Sequence, residues 1–353
     1  MRFIGNKEKL VDWIYDELKF TDLSGGLFFD FFSGTTNVAK HFKKNGFQIV
    51  SSDLLYTSFV LQKAYIENNE TPKFENLTPL IDAPATLFPY SNLEIVLNYL
   101  DGLDPIPGFI FSNYTPEGTS NLDVPRMYFS DLNGKKIDAI RTKIEDWYNE
   151  KFISELEYYI LIACLIETVP FYANISGVYA AFHKKWDPRA KKKLKLRPIS
   201  ILNNNKKNHV YNTNSLNLIK EFEYDIIYLD PPYNSRQYAP NYHLLETIAK
   251  HDAPKIKGVS GMRDYSEQKS NFCVKSKALY ELEIILRDAE YKFLALSYNS
   301  EGIMATDEIK NLMSKYGKTS LKEHKYLRYK SNNKGLSKDK KYIKEQLYIL
   351  KKD

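Results

Sequence analysis

The sequence has little cysteine: Cys164 and Cys273 are the only two in 353 residues, and they stand far apart. Neither belongs to a Cys-x-x-Cys or Cys/His cluster, so a disulfide framework and a zinc or other metal site are not expected, and a reducing cytoplasm fits. Long apolar runs are missing too. The most apolar helical stretch, near residues 153–169, carries Glu155, Glu157 and Glu167, which argues against a membrane span. No apolar signal region opens the sequence, and no internal repeat is visible. Glycine is never clustered as G-x-G-x-x-G, so a pyrophosphate cradle is poorly supported. Nor does one charge dominate. A formal net charge of +6 is too mild to argue for a polyanion partner, so the distribution of charge matters more than its sum.

With 43% hydrophobic and 27% charged residues, the chain can build a sizeable core. Its length suits two domains, or one large domain with an insertion. The most informative stretch is Asp230-Pro231-Pro232-Tyr233, which follows the apolar run Ile226-Ile227-Tyr228-Leu229. That run reads as a buried strand of a parallel sheet. The tetrapeptide then falls at the strand's C-terminal end, where open α/β sheets bind ligands. An exocyclic amine on a nucleobase is a poor nucleophile because its lone pair is delocalised into the ring. Two acceptors on its N–H groups draw it toward tetrahedral geometry. An ionised Asp230 only accepts. Two prolines hold an extended backbone whose carbonyls can face the pocket, and the Tyr233 ring can stack on a base, worth roughly 1–3 kcal/mol.

Near the N-terminus, Leu27-Phe28-Phe29-Asp30-Phe31-Phe32 predicts a strand. Ser33-Gly34-Thr35-Thr36 predicts a turn, and Val38, Ala39 and Phe42 the face of a helix that Gly46 ends. Phe47-Gln48-Ile49-Val50 predicts the next strand, with Asp53 at its tip, 23 positions after Asp30. Gly34 lets the backbone approach a ligand, and an acid about 20 residues beyond such a turn can take ribose hydroxyls. With one glycine in the turn, a cofactor with ribose and adenine but no phosphate fits, and S-adenosylmethionine is the candidate. Asn214 can bond the adenine or cap a helix through Leu216, Ile219 and Phe222. A further strand, Phe293–Ser297, ends at Asn299. Asp30, Asp53, Asp230 and Asn299 are thus expected at one sheet edge.

The middle of the chain reads as a helical insertion. One helix carries Ile137, Ile140, Ile144 and Trp147 with Asn133 as a cap, and a second runs from about Ile153 to Val169. It ends in a basic stretch, Lys184, Lys185, Arg189, Lys191, Lys192, Lys193, Lys195 and Arg197, near Trp186, Tyr179 and Phe182. Clustered cations among aromatics suit a phosphate backbone with accessible bases. Arg236 and Gln237, after the tetrapeptide, can hold a base or phosphate. A second lysine-rich stretch, Lys330 to Lys344, reads as a surface loop.

These motifs, in this order, make the sequence resemble the Dam-like, alpha-group DNA adenine methyltransferases. Arg2-Phe3-Ile4-Gly5-Asn6-Lys7 is similar to the family's N-terminal motif, which implies that Phe3 and Lys7 contact S-adenosylmethionine. Asp30-Phe31-Phe32-Ser33-Gly34-Thr35 resembles D-x-F-x-G-x, bringing Asp30, Phe32 and Gly34 into the cofactor site. Asp53 matches the ribose-binding acid, and Asp230-Pro231-Pro232-Tyr233 matches the catalytic motif in full. The run through Asn234-Ser235-Arg236-Gln237-Tyr238 looks like methyltransferases that accompany type II restriction enzymes. Two positions depart from the pattern. Thr35-Thr36 stands where a second glycine is frequent, and Asn214 where many members carry aspartate.

The resemblance implies an α/β, Rossmann-like methyltransferase sheet with a helical target-recognition insertion. It divides the chain into a cofactor half (1–75), the insertion (76–200) and a catalytic half (201–353). The implied reaction is methylation of the 6-amino group of adenine in duplex DNA, in the cytoplasm, with a cognate restriction endonuclease as a functional partner. Cytosine at its 4-amino group, adenine in RNA, and non-catalytic DNA binding by the same fold are the alternatives.

Overall fold

Apolar, β-branched and aromatic segments of four to six residues, each bounded by turn residues, lay down the first strands. The computed structural model describes residues 5–19, 23, 25–81, 90–327 and 342–352. The chain divides into two compact units. One comprises Lys7–Leu54, Asn204–Tyr238 and Glu267–Asp353, and the other Met1–Asn6, Leu55–Asn203 and Ala239–Ser266.

The first unit is built on a seven-stranded sheet. Its strands are β1 (Leu27–Asp30), β2 (Gln48–Ser52), β3 (His209–Tyr211), β4 (Tyr224–Leu229), β5 (Tyr291–Asn299), β6 (Gly317–Leu327) and β7 (Tyr342–Lys352). The order is β3-β2-β1-β4-β5-β7-β6. Strands β3, β2, β1, β4 and β5 run parallel, while β7 is antiparallel to both its neighbours. This is an α/β, Rossmann-like sheet, with its strand order reversing at β1 and β4, where such sheets bind ligands.

Alternation assigns the two faces. Phe29, Ile227, Leu229, Leu294, Leu296 and Leu350 share a buried cluster with Leu282, Ile285, Ile309 and Leu312 from the helices Lys275–Asp288 and Thr306–Met313. On the opposite face Phe28 stacks on Phe42 at 3.8 Å, and Tyr15 meets Phe42 edge-on at 5.4 Å. These come from the helices Val11–Leu18 and Asn37–Lys44. Each such side chain contributes roughly 1.5–3 kcal/mol on burial.

Three expectations need correction here. The stretch through Leu216, Ile219 and Phe222 forms only a 3₁₀ turn, Ser215–Leu218. Lys344 lies in β7, where it pairs with Glu323 at 2.7 Å, whereas residues 330–341 of the same lysine-rich stretch lie outside the described residues. Asn133 is not a cap. Ser130 caps the Asp131–Asn149 helix, and Asn133 is buried one turn inside it, where its amide binds a neighbouring segment.

The second unit is helical. Helices Tyr56–Gln62, Asn92–Gly102, Phe109–Tyr114, Asp131–Asn149, Glu155–Thr168 and Ala239–Lys250 accompany a two-stranded ribbon, Ile256–Lys257 with Met262–Arg263. Ser154 and Glu157 form a capping box. Buried Arg141 ties three helices together, donating to the Ile248 carbonyl at 3.0 Å and to the Tyr158 hydroxyl at 2.8 Å. Among the described residues no helix is long and apolar enough to cross a membrane.

Gly118 packs so closely that an added Cβ would stand 2.0 Å from the Phe111 carbonyl oxygen. Gly118→Ala is therefore expected to cost about 1–3 kcal/mol. A urea titration of the two proteins, read as a lower midpoint at unchanged slope, checks it.

Candidate active site at the sheet edge

The parallel strands deliver their C-terminal ends to one edge. Asp30 ends β1, Asp53 follows β2, Asp230 follows β4 and Asn299 ends β5. On the Phe28 face this edge is polar although buried, with Asp30, Ser297 and Glu345 nearly inaccessible. Pro231 and Pro232 are buried and Tyr233 half-buried. Ile303 donates its N–H to the Tyr233 carbonyl at 2.9 Å, fixing the segment beyond the prolines.

Lys7 enters this edge and is 5% exposed. Its ammonium donates to the Glu345 carboxylate and to the Tyr233 hydroxyl oxygen, and lies 3.3 Å from Asp230 Oδ1. The Tyr233 hydroxyl is 2.6 Å from Asp230 Oδ1 and 2.8 Å from Glu345 Oε1. It has one proton to give, so it serves one carboxylate at a time. Ser297 donates to Glu345 Oε1 at 3.1 Å. Burial works to lower the Lys7 pKa, but Asp230 and then Glu345 outweigh it and hold it above the ordinary lysine value. Burial raises Asp230 to about 6, with Lys7 opposing and Glu345 reinforcing. Burial, then Asp230, pushes Tyr233 well above the usual phenol value. Sequence reasoning brought Lys7, Asp230 and Tyr233 to one site but missed Glu345.

The turn after β1 is tightly wound. Gly34 has φ 48° and Thr36 φ 61°, a conformation that β-branched residues rarely adopt. Thr36 belongs to the pair Thr35-Thr36 that stands where the resembled motif often has a second glycine, and its backbone takes the left-handed form that glycine would tolerate. Its N–H donates to the Ser33 carbonyl at 2.7 Å and its hydroxyl to the Thr35 carbonyl at 2.6 Å. Gly34 donates its N–H to Asp53 Oδ2 at 2.8 Å, so turn and strand-tip acid are one assembly. Burial, then the nearby Asp230, raises Asp30 to about 8, although the Ala39 N–H lowers it. Phe32 is half-buried, edge-on to Phe272 at 5.2 Å. Asn214 caps the short 3₁₀ turn, its Oδ1 accepting from the Leu216 N–H at 3.1 Å. Phe3 lies outside the described residues.

A model of the D12 class N6 adenine-specific DNA methyltransferase family matches residues 3–328. The chain is 39% identical to the type II methyltransferase M.FokI of Planomicrobium okeanokoites, over all of this chain and 53% of that protein. It is 38% identical to the modification methylase StsI of Streptococcus sanguinis, over all of this chain and 52% of that one. It is also 38% identical to the type II methyltransferase M.NlaIII of Neisseria lactamica, over 94% of this chain and 93% of that protein. The chain thus spans about half the length of the first two relatives and nearly all of the third.

The chain belongs to the D12 class family.

In this D12 class chain the basic stretch of the helical unit is pinned. Asn133 donates to the Ala190 and Lys192 carbonyls at 3.2 and 2.9 Å and accepts the Leu194 N–H at 3.0 Å. Asp101 accepts the Leu196 N–H at 3.0 Å. Leu194 and Leu196 are buried while Lys191, Lys192, Lys193, Lys195 and Arg197 are exposed, as are Lys184 and Lys185. Arg189 is paired with Asp187. In the sheet unit Arg236 is exposed, whereas both ends of the Gln237 amide bind the Ser270 backbone.

The raised Asp30 pKa has a stability consequence. The cost of burying its charge is present above about pH 8 and vanishes toward the unfolded value, so folding weakens as pH rises through that window. Asp30→Asn keeps an acceptor for the Ala39 N–H. It is expected to raise the unfolding midpoint at pH 9 by a few degrees, at about 2–4 °C per kcal/mol. The gain should shrink as pH falls below about 8 and be gone only near the unfolded value of about 4, in thermal scans of the unliganded protein.

Proposed function

We propose that this chain transfers a methyl group from S-adenosylmethionine to the 6-amino group of adenine in duplex DNA, as the modification activity of a restriction-modification system. The observation that carries this is Asp230, a carboxylate only 16% exposed just beyond the end of β4, followed by a proline-fixed backbone in a chain of the D12 class. The relatives are named type II methyltransferases and a modification methylase, which supports a DNA substrate and a cognate endonuclease as the functional partner. Such a chain works where the genome is, in the cytoplasm.

The residues at the edge suit the cofactor. Asp30, Asp53 and Asp230 interact closely enough to raise the Asp30 pKa. A carboxylate-rich edge repels a polyphosphate and attracts a cation, which the sulfonium is. Asp53 and the Gly34 turn would face the ribose, Phe32 and Asn214 the adenine, and Lys7 would lie nearby, with Phe3 assigned by resemblance. When bound, S-adenosylmethionine supplies an electrophilic methyl group. Asp230 and the Pro231 carbonyl accept the two N–H bonds of the target amine, and the Tyr233 ring stacks on the base. Unstacking that base costs a few kcal/mol. Positioning of the amine, rather than a strong base, carries the rate.

The helical unit would read the target. Its pinned strip exposes Lys191, Lys192 and Lys193, then Lys195 and Arg197 on either side of buried Leu196, a set of cations suited to a phosphate backbone. Lys184, Lys185 and, from the sheet unit, Arg236 would add to that contact.

The experiment is transfer of a labelled methyl group from S-adenosylmethionine to unmethylated duplex DNA. Incorporation is expected, and Asp230→Ala should lower it by about 10³-fold or more. Near-normal turnover by Asp230→Ala would overturn the mechanism. Because Asp230 must be ionised to accept, kcat/KM should fall as pH drops below about 6. In a separate measurement, replacing Lys191, Lys192 and Lys193 by alanine should weaken DNA binding and flatten the slope of log K against log salt by about 2–3.

A further inference from the structure

Glu345 belongs to no motif, yet it touches every member of the Lys7 group except Asp230. Its Oε1 accepts from Lys7, from the Tyr233 hydroxyl at 2.8 Å and from Ser297 at 3.1 Å. It is 4% exposed and sits on the antiparallel strand β7. Its register neighbours are Asn299 and His324. A carboxylate buried this deeply is costly unless it is paired and hydrogen-bonded.

The competition at Asp230 shows what Glu345 does. Asp230 Oδ1 faces both the Tyr233 hydroxyl, at 2.6 Å, and the Lys7 ammonium, at 3.3 Å. Both donors crowd Oδ1, one of the two oxygens that a substrate amine could use. Glu345 offers each of them a second acceptor, nearly as close as Asp230 for the Tyr233 hydroxyl and closer than Asp230 for the Lys7 ammonium. We propose that Glu345 is a positioning residue: it takes the Tyr233 proton and the Lys7 ammonium onto itself, freeing Asp230 to accept the target amine. This inference rests on the proposed methyl transfer and adds to it a residue that never meets the substrate. No proton leaves the group. The Tyr233 O–H rotates from one carboxylate to the other, and Lys7 keeps its charge.

The charged and titratable groups facing this pair come from several elements. Lys7 lies before the first helix, Asp30 ends β1, Tyr228 is on β4, and Tyr233 follows Asp230. On β6, His324 stands opposite Glu345, and Lys322, two residues along, pairs with Glu17 at 3.2 Å. Of these, Lys7, Asp30, Tyr228 and Tyr233 feel the Asp230 charge.

Glu345→Gln tests the proposal because it keeps the shape and removes the charge. Lys7 then serves Asp230 alone and the repulsion from Glu345 is gone. The acid limb of kcat/KM should therefore move to lower pH, while kcat falls about tenfold and KM for DNA changes little. The same shift should appear without turnover, in a carbon-detected titration of the Asp230 carboxyl in the unliganded protein, assigned by its loss in Asp230→Asn. Glu345→Asp keeps the charge but not the reach, so its acid limb should stay in place while kcat falls, and it carries the test if Glu345→Gln does not fold. An Asp230 titration that is unmoved or moves upward in Glu345→Gln, or full kcat in Glu345→Asp, would overturn the proposal. Absence of methyl transfer by the unmutated protein, with the Asp230 titration still shifted in Glu345→Gln, would instead count against the methyltransferase reading and leave the charge coupling standing.

Discussion

One ammonium held between a buried carboxylate and a partly buried one organises the sheet edge. Lys7 brings a single positive charge to a place where Asp230 and Glu345 bring two negative ones. Such an arrangement contributes little net stability, because desolvation offsets the attraction. Deleting one partner would strand a buried charge at a cost of about 3–5 kcal/mol. What it secures is geometry. The Tyr233 hydroxyl is held within reach of both carboxylates, and the ring that carries it is fixed edge-on to Tyr298 at 5.2 Å. The uncompensated negative charge reaches Asp30, which is one reason that its pKa is raised. An edge of this sign is suited to a cationic donor and unsuited to a phosphate.

A second constraint lies in the turn after β1. Thr36 is wholly buried in a left-handed conformation, and residues forced there cost of order 1–3 kcal/mol. The surrounding hydrogen bonds hold it, and the same turn directs the Gly34 N–H at Asp53. The strain and the buried Asp30 carboxyl, with its raised pKa, fall within a few residues of each other. Clustering of this kind marks a site shaped for a ligand rather than for stability.

Much of this was legible in the sequence because it is local. β1, β2, β4 and β5 are runs of Phe, Ile, Val and Leu with a polar residue at the tip, and parallel strands put their tips on one edge. The tetrapeptide at 230–233 carries its own backbone chemistry. What escaped depends on contacts between distant residues. Glu345 lies 338 positions from Lys7, between Lys344 and Gln346, and reads as surface charge. Its signal is that it shares a face with Leu347 and Ile349, both buried, which would have required recognising β7 as a strand. Asn133 looked like a cap because it stands near a helix start, while its true partners are backbone groups at 190–194. The segment from Ala239 to Ser266 joins the helical unit, a packing relation that no linear pattern displays.

The account stands or falls on which atom of which base is methylated. Unmethylated duplex DNA incubated with the protein and S-adenosylmethionine, then digested and resolved by nucleoside mass spectrometry, answers it. The account predicts that the methyl group appears on the 6-amino group of deoxyadenosine. Methyl groups confined to deoxycytidine would contradict the choice of base, and a complete absence of methylated nucleoside would contradict the reading of the Asp230 edge as a methyl-transfer site.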